Sequence, residues 1–424
     1  MLIRFIFASW TDFNPQEDVY GWKIDSNLRA YIEGAYQRNM RLAFRVVVDS
    51  RDKRTEFTPQ FVKDAGAKGF MNKGKWSPYS DDPVFQKYYT KFVKALAKDF
   101  NDPSKVEFID GFGLGKWGEY HTMIYSTGDD TPKKAVFDWV TDIYSQAFDK
   151  VPVVINYHRW IGAGKDWVDD EHFAADSEEM LEGAIKKGYS LRHDAFGMTT
   201  YYGSWERRFA KKYRNICPII MEGGWIVKSH SYWQDPRGYR KDSHEDVRRG
   251  EFDDSKEAHV NMMDFRFGDT ESWFKDAFDL VRRFLREGGY RLYPSEISLP
   301  LEVSKKTTPT IKHCWNNLGW GYCPTNIPQW NQKYKVAFAL LDSETNEARY
   351  TFVDTDTDLS KWIKGSPVEY VFEPDMSKVE TGTYVWAVGV VDRSNKDLVG
   401  LDIAAKGDIL DSGWLKLSKV SINK

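Results

Sequence analysis

An α/β domain built on a parallel sheet, followed by an antiparallel β-sandwich, is the fold class that this 424-residue sequence predicts. Two observations lead there. From the N-terminus to about residue 288, short β-rich apolar runs alternate with helix-length amphipathic segments. Strict alternation of that kind implies parallel strands joined by helical crossovers, in a doubly wound sheet or a closed barrel. From about residue 290 the texture changes to short alternating runs separated by Asp, Asn, Gly and Ser turns, the pattern of a sandwich. The boundary is expected within 289–298, giving domains of 1–290 and 291–424.

Seven strands are expected in the first domain: IRFIFAS (3–9), LAFRVVVD (42–49), VEFIDGFGLG (106–115), PVVINYH (152–158), AFGMTTYY (195–202), CPIIMEG (217–223) and VNMMDFRF (260–267). Helices are expected at 83–100, 133–149, 177–188 and 271–289, the last closing on the Gly288–Gly289 stop signal. Residues 226–259 read as a long charged connection, and a loop of that length in a compact domain is usually functional. In the second domain YRLYPSEISLPLEV, YKVAFALLD, ARYTFVD, EYVFEP and GTYVWAVGVVD supply the short strands.

Composition narrows the function classes. The hydrophobic fraction of 41% is ample for globular cores, and no apolar stretch reaches a membrane-spanning length. A net charge of −3 without any long basic run argues against nucleic acid as the main partner. Aromatic residues make up 16% of the chain, which suits both cores and clefts that stack on sugar faces. Cys217 reads as a buried free thiol, whereas Cys314 and Cys323 pair in an oxidising compartment or remain two reduced thiols. No His-x-x-x-His or cysteine-pair spacing marks a metal centre, and no cofactor is expected.

The segment GFGLGKWGEYH (111–121) carries the chemistry. Gly113-x-Gly115-x-x-Gly118 has the spacing of a dinucleotide fingerprint, and Asp138 stands 20 residues after Gly118. Yet the residues after Gly118 show no helical periodicity, and Lys116 and Trp117 would crowd a pyrophosphate. The better reading is a strand end delivering a carboxylate, Glu119. A second carboxylate, Glu222 in IIMEGGW, ends another predicted strand. In a (β/α)8 barrel those ends form the catalytic face, and glycoside hydrolysis needs two carboxylates across the scissile bond.

These residues resemble clan A of the glycoside hydrolases. The opening RFIFASWTDFNPQEDVYGWKIDSNL matches the clan's early segment at Trp10, Pro15, Tyr20, Trp22 and Asp25. GKWGEYH, MEGGW and the trailing sandwich are similar to uncharacterised barrel-plus-sandwich glycosidase-like proteins of Bacteroidetes type. The resemblance implies a (β/α)8 TIM barrel and a retaining glycoside hydrolase, with Glu119 as general acid/base and Glu222 as nucleophile. It implies these carboxylates at strands four and seven, whereas they fall at the third and sixth predicted here. A first barrel strand, with any export signal of a secreted, periplasmic or cell-surface protein, is therefore expected upstream of residue 1. Where the clan has Asn before the acid/base Glu, this chain has Gly118, so Asn156 or His121 would have to hold the sugar 2-hydroxyl.

Other residues at strand ends are expected to line the cleft and bind substrate: Arg45, His158, Tyr201, Tyr202, Asn261 and Arg266, with Trp117 and Trp225 stacking on sugar rings. Arg45, in an apolar strand, needs a partner and is expected to hold one of the two Glu side chains. Lys116, Arg159, Lys228 and Arg266 would make a basic rim suited to a sulfated or uronic glycan. A glycan-binding barrel without turnover is the alternative.

Overall fold

The computed structural model describes residues 2–165, 171–198, 201–224, 244–265 and 272–424. The chain divides into two compact units, Met1–Lys211 with Ile219–Lys241, and Lys212–Pro218 with Asp242–Lys424.

The first unit runs β1 (Leu2–Ser9), α1 (Trp10–Phe13), α2 (Gly21–Ile24), α3 (Ser26–Tyr36), β2 (Met40–Val47), α4 (Gln60–Asp64), a hairpin of β3 (Gly69–Asn72) and β4 (Lys75–Pro78), and α5 (Pro83–Phe100). It continues through β5 (Val106–Asp110), α6 (Lys133–Ala147), β6 (Val153–Asn156), α7 (Glu171–Lys186), β7 (Ser190–Phe196), α8 (Ser204–Tyr213) and β8 (Ile219–Gly223). Its six long-range strands lie in the order β1-β2-β5-β6-β7-β8, and every neighbouring pair is parallel.

Side-chain contacts show how strongly this sheet curls. β2 and β8 stand four strand positions apart, about 19 Å in a flat sheet. Arg45 on β2 nevertheless lies 3.1 Å from Glu222 on β8. The parallel sheet therefore bends back on itself, as a (β/α)8 barrel requires.

Local chemistry explains the elements. α5 begins on Asp82, whose side chain accepts from the N–H groups of Val84 and Phe85, with Pro83 in the first turn. Its buried face carries Phe85, Tyr89, Phe92, Val93 and Leu96. Trp10, fully buried, meets Phe61, Phe85, Tyr89 and Phe92 at ring separations of 5.2–6.4 Å. Two of the residues that match the clan segment are thus core rings, since Trp22 also packs inside and donates to Asp99 at 2.8 Å. Asp25 caps α3 through the Leu28 N–H.

Four expectations need correction. β5 ends at Asp110 rather than 115, because the glycines that follow turn the backbone left-handed. β7 is Ser190–Phe196 rather than 195–202, and residues 199–200 lie outside the described set. α7 begins at Glu171, six residues before the expected 177. The charged stretch 226–259 is partly a helix, α9 (His244–Glu257), and its residues 226–243 lie outside the described set.

The second unit includes α9, β9 (Met262–Asp264), a π turn at Ser272–Asp276 and α10 (Phe278–Glu287). Then follow β10 (Leu292–Ser298), β11 (Glu302–Ser304), β12 (Ile311–Asn317), β13 (Tyr334–Asp342), β14 (Ala348–Asp354), β15 (Val368–Phe372), β16 (Gly382–Asp392), β17 (Leu398–Leu401) and β18 (Leu415–Asn423). One sheet has the order β10-β12-β15 and the other β11-β18-β16-β13-β14, with β17 on β16. The second sheet is mixed, since β11 and β18 run parallel. One apolar cluster draws on both sheets, including Leu292, Ile311 and Trp315 with Val336, Phe338 and Trp386. The three cysteines are free thiols, Cys217 and Cys323 buried and Cys314 half-buried. Among the described residues no helix is long and apolar enough to cross a membrane.

Candidate active site

Parallel register decides which side chains meet, because paired residues on neighbouring strands point to the same face. One row pairs Phe7 with Arg45, Arg45 with Asp110 and Asp110 with Val154. Two residues along β6, Asn156 pairs with Arg192, and Arg192 with Ile220. Glu222 lies two residues beyond Ile220 and shares that face, and Asp194, at a register shift in β7, lies 3.5 Å from His121. Arg45, Asp110, Asn156 and Glu222 sit toward the C-terminal ends of parallel strands, the edge where barrels place catalysis, while Arg192 stands nearer the start of β7.

A buried ionic cluster results. Arg45 donates through Nε to Asp110 at 2.7 Å, through Nη1 to Glu119, and through Nη2 to Glu222 at 3.1 Å. Arg192 lies 3.1 Å from Asp110 and also contacts Glu222. Arg45, Asp110 and Arg192 are at most 2% exposed, and Glu119 and Glu222 are 6% and 4% exposed. One guanidinium fork therefore ties together the two carboxylates singled out from the sequence, and a second braces it. Burial works against the charge on Arg45, but Asp110 and Glu119 outweigh it and raise its pKa.

Glu119 reaches this cluster on an unusual backbone. Gly113, Gly115, Trp117, Gly118, Tyr120 and Thr122 all have φ between +43° and +77°. Main-chain hydrogen bonds hold the coil: Lys116 N–H to His121 O at 2.9 Å, Gly118 N–H to Gly115 O at 3.1 Å, and Tyr120 N–H to Leu114 O at 2.9 Å. No helix starts here, since the next one begins at Lys133, and the dinucleotide reading falls with it. At Gly118 (φ +74°) a Cβ would stand 3.1 Å from Val47 Cγ2 and 3.3 Å from Gly113 Cα. Position 118 is glycine because the backbone is left-handed and tightly packed there.

Three further groups surround Glu119. His121 Nε2 lies 3.5 Å from Asp194 Oδ2, and His121 stacks on His158 at 4.0 Å and 13°. His158 Nδ1 accepts the Trp160 N–H at 3.2 Å, so Nε2 carries the proton and donates to the Glu119 carbonyl at 3.0 Å. Burial, with His121 beside it, holds His158 well below the usual histidine range, so it is neutral and pins the Glu119 main chain. His193 is likewise pushed down to about 4 by burial.

Burial and the neighbouring Asp194 charge push the Glu119 carboxyl up to about 8, against the pull of Arg45. Burial also raises Asp110 despite Arg45. For Asp194 burial acts upward too, but the hydrogen bond and attraction of His121 outweigh it and hold this carboxyl well below the usual range. Two adjacent carboxyl groups are thus driven apart, one toward the acid and one toward the anion.

The structure brings Arg45, Glu119, His121, His158 and Glu222 together. Asn156 is 3% exposed on the same face, and neither of its amide atoms makes a hydrogen bond among the described residues. Trp117 is half-buried beneath Lys116 Nζ, 4.3 Å from its ring, and edge-on to His121. Tyr202 is buried, stacked on Phe196 and 3.1 Å from the Tyr157 hydroxyl, while Tyr201 packs on Ala195 and Met198. Asn261 belongs to the second unit, where its Nδ2 donates to Tyr322 O at 2.7 Å. Trp225 and Arg266 lie outside the described residues. Of the expected rim cations, Lys116 pairs with Asp52 at 2.8 Å and Arg159 with Glu206 at 2.8 Å, while Lys228 and Arg266 are outside the described set.

Sequence reasoning missed Asp110, Arg192, His193 and Asp194. For the last three the signal was the charged triplet Arg192-His193-Asp194 between apolar flanks, the mark of a buried strand whose polar groups face a site.

No family model matches the chain, and no curated protein does. Among solved structures it is similar to endo-glycoceramidase II from Rhodococcus sp., at 14% identity and a TM-score of 0.42, with 88% of this chain and 89% of that one covered. It is also similar to the endo-β-1,4-mannanase from Thermotoga petrophila, at 12% identity and a TM-score of 0.42, with 100% and 92% covered. The exo-β-1,4-mannosidase Op5Man5 from Opitutaceae bacterium strain TAV5 matches at 12% identity and a TM-score of 0.35, covering 66% of this chain and 48% of that one. At these identities and scores, the likenesses carry neither a substrate nor a residue role to this chain.

Proposed function

We propose that this protein is a retaining glycoside hydrolase acting on a poly- or oligosaccharide. Glu119 protonates the leaving oxygen and later activates water, and Glu222 attacks the anomeric carbon. The observation that carries the reading is the meeting of Glu119 and Glu222 on one guanidinium fork at the C-terminal edge of parallel strands. The unequal setting supports the assignment. Glu119, raised to about 8, holds its proton at neutral pH, as a general acid must. Glu222 faces two guanidinium groups, which complement a carboxylate anion. Retention calls for carboxyl groups about 5–5.5 Å apart, short enough for direct attack.

In this reading residues 1–290 form the catalytic barrel, and 291–424 a sandwich that acts as an accessory domain. Asn156 is the amide available to hold a sugar 2-hydroxyl, a task that Gly118 has no side chain to perform. A basic rim would select a sulfated or uronic glycan, so the substrate panel contains neutral and anionic polysaccharides. A secreted or cell-surface location fits such a substrate.

Glu222→Ala tests the proposal. Turnover should fall roughly 10³-fold or more while the glycan still binds. The alternative, a glycan-binding protein without turnover, draws on Gly118 standing where an amide is expected. It gains if wild-type protein cleaves nothing in the panel yet retains one glycan.

A further inference from the structure

We infer that Glu119, His121 and Asp194 form a binding site for one divalent transition-metal ion, with Zn²⁺ the best match to the donor set. Each residue offers one ligand atom, and the three atoms lie within 4.8 Å of one another. Ligands of a four-coordinate Zn²⁺ at ~2.0–2.2 Å stand roughly 3.3–3.6 Å apart. His121 Nε2 and Asp194 Oδ2, at 3.5 Å, already have that spacing. To ligate as well, Glu119 has to turn toward them about its side-chain bonds. Arg45 engages Oε1 of Glu119, and a carboxylate has a second oxygen to offer.

Four carboxyl groups, Asp110, Glu119, Asp194 and Glu222, gather about two guanidinium groups, Arg45 and Arg192, so acidic side chains outnumber basic ones here. Asn156 adds a second pointer. It is only 3% exposed and shares the interior face with Arg192 on the adjacent strand. Neither its Nδ2 nor its Oδ1 is bonded among the described residues. A buried amide left open beside the cluster suits a ligand or its coordinated water.

Two of the ligand residues are held in place by a third: His158 stacks on His121, and its Nε2 donates to the Glu119 carbonyl. One imidazole with two carboxylates suits Zn²⁺, whereas Mg²⁺ and Ca²⁺ favour all-oxygen shells and Cu(I) favours sulfur. An ion held by Glu119 occupies the carboxyl that the glycosidase reading uses as its acid, so Zn²⁺ inhibits turnover; this consequence rests on that reading, but the binding does not.

The test uses the full chain, stripped with EDTA and dialysed, and titrated calorimetrically with ZnCl₂. One equivalent should bind. Affinity should fall tenfold or more in His121→Asn and in Asp194→Asn, and stay unchanged in His172→Ala on α7. Co²⁺ provides a readout on the wild type alone: a visible d–d band should appear and be displaced by one equivalent of Zn²⁺. The inference is overturned if wild-type protein shows no saturable Zn²⁺ binding and no Co²⁺ band. It is equally overturned if folded His121→Asn and Asp194→Asn variants bind Zn²⁺ like the wild type. Absence of glycan cleavage would sink the glycosidase reading and leave this titration untouched.

Discussion

Replacing Glu119 with Gln keeps the size of the side chain and removes its proton, so it isolates the carboxyl's contribution to stability. In the folded protein this carboxyl ionises at about 8, against an ordinary value of 4.5. Between those pH values the folded state holds a proton that the unfolded chain has released. Stability from this group is therefore fully present below pH 4.5 and is lost as pH rises through about 8. At ~1.4 kcal/mol per unit the loss is on the order of 3–5 kcal/mol, the lower end applying because Asp194 and Arg45 share the titration. The Asp110 carboxyl, also raised by burial, is common to both proteins and largely cancels. Urea unfolding of wild type and Glu119→Gln, in EDTA at intervals from about pH 5 to 9, measures the difference. The wild-type curve should fall more steeply, with most of the divergence complete by about pH 9. Parallel curves would show that Glu119 is an ordinary ionised carboxylate, and the assignment of the acid would go with them.

Other perturbations reach the same cluster by different routes. Arg45→Met leaves Asp110, Glu119 and Glu222 on a single guanidinium and should cost about 3–5 kcal/mol in urea unfolding; Arg45→Lys should recover less than half, because an ammonium lacks the fork. Gly118→Ala should lower stability by about 1–2 kcal/mol through its left-handed backbone and the contact with Val47, read as a drop in Tm. Trp10→Ala, removing a ring packed against four others, should cost about 3–5 kcal/mol; a loss under about 1 kcal/mol would contradict the packing described. If a substrate is cleaved, proton NMR of the first product should show the anomer of the starting glycoside; the opposite anomer would exclude Glu222 as a nucleophile.

Much of this architecture was legible because burial leaves a period in the sequence. The run PVFQKYYTKFVKALAKDF could only be an amphipathic helix, and it is one from its first residue to its last. The strands LAFRVVVD and CPIIMEG were found to within two residues at either end, because they are mostly apolar, as in a sheet covered on both faces. SLRHDAF failed for the opposite reason. Its charges turn inward to meet charges from other strands, so the hydrophobic signal vanishes where the site is built. Glu222 was visible as a carboxylate ending a strand, and Glu119 as one near a strand, although a glycine-rich coil carries it well past the end of β5. Asp194 was not, since its link to Glu119 exists only after the sheet curls. Sequence spacing cannot show the triad either, because Asp194 comes from a different strand, far along the chain from Glu119 and His121.

The left-handed coil from Gly113 to Thr122 bears on how far this site can be moved. Six of its ten backbones sit at positive φ, three of them with side chains that ordinarily avoid it. Such a conformation is imposed by its anchors: the internal hydrogen bonds, the Val47 wall and the His158 imidazole on the Glu119 carbonyl. Cut out as a peptide, GFGLGKWGEYH would relax into other shapes and lose the aim of its carboxylate. Grafted onto another barrel, it would need β2 and the histidine after β6 to travel with it. The transplantable unit is a patch of fold, and a short motif shared with another protein says little about whether the carboxylate is pointed the same way.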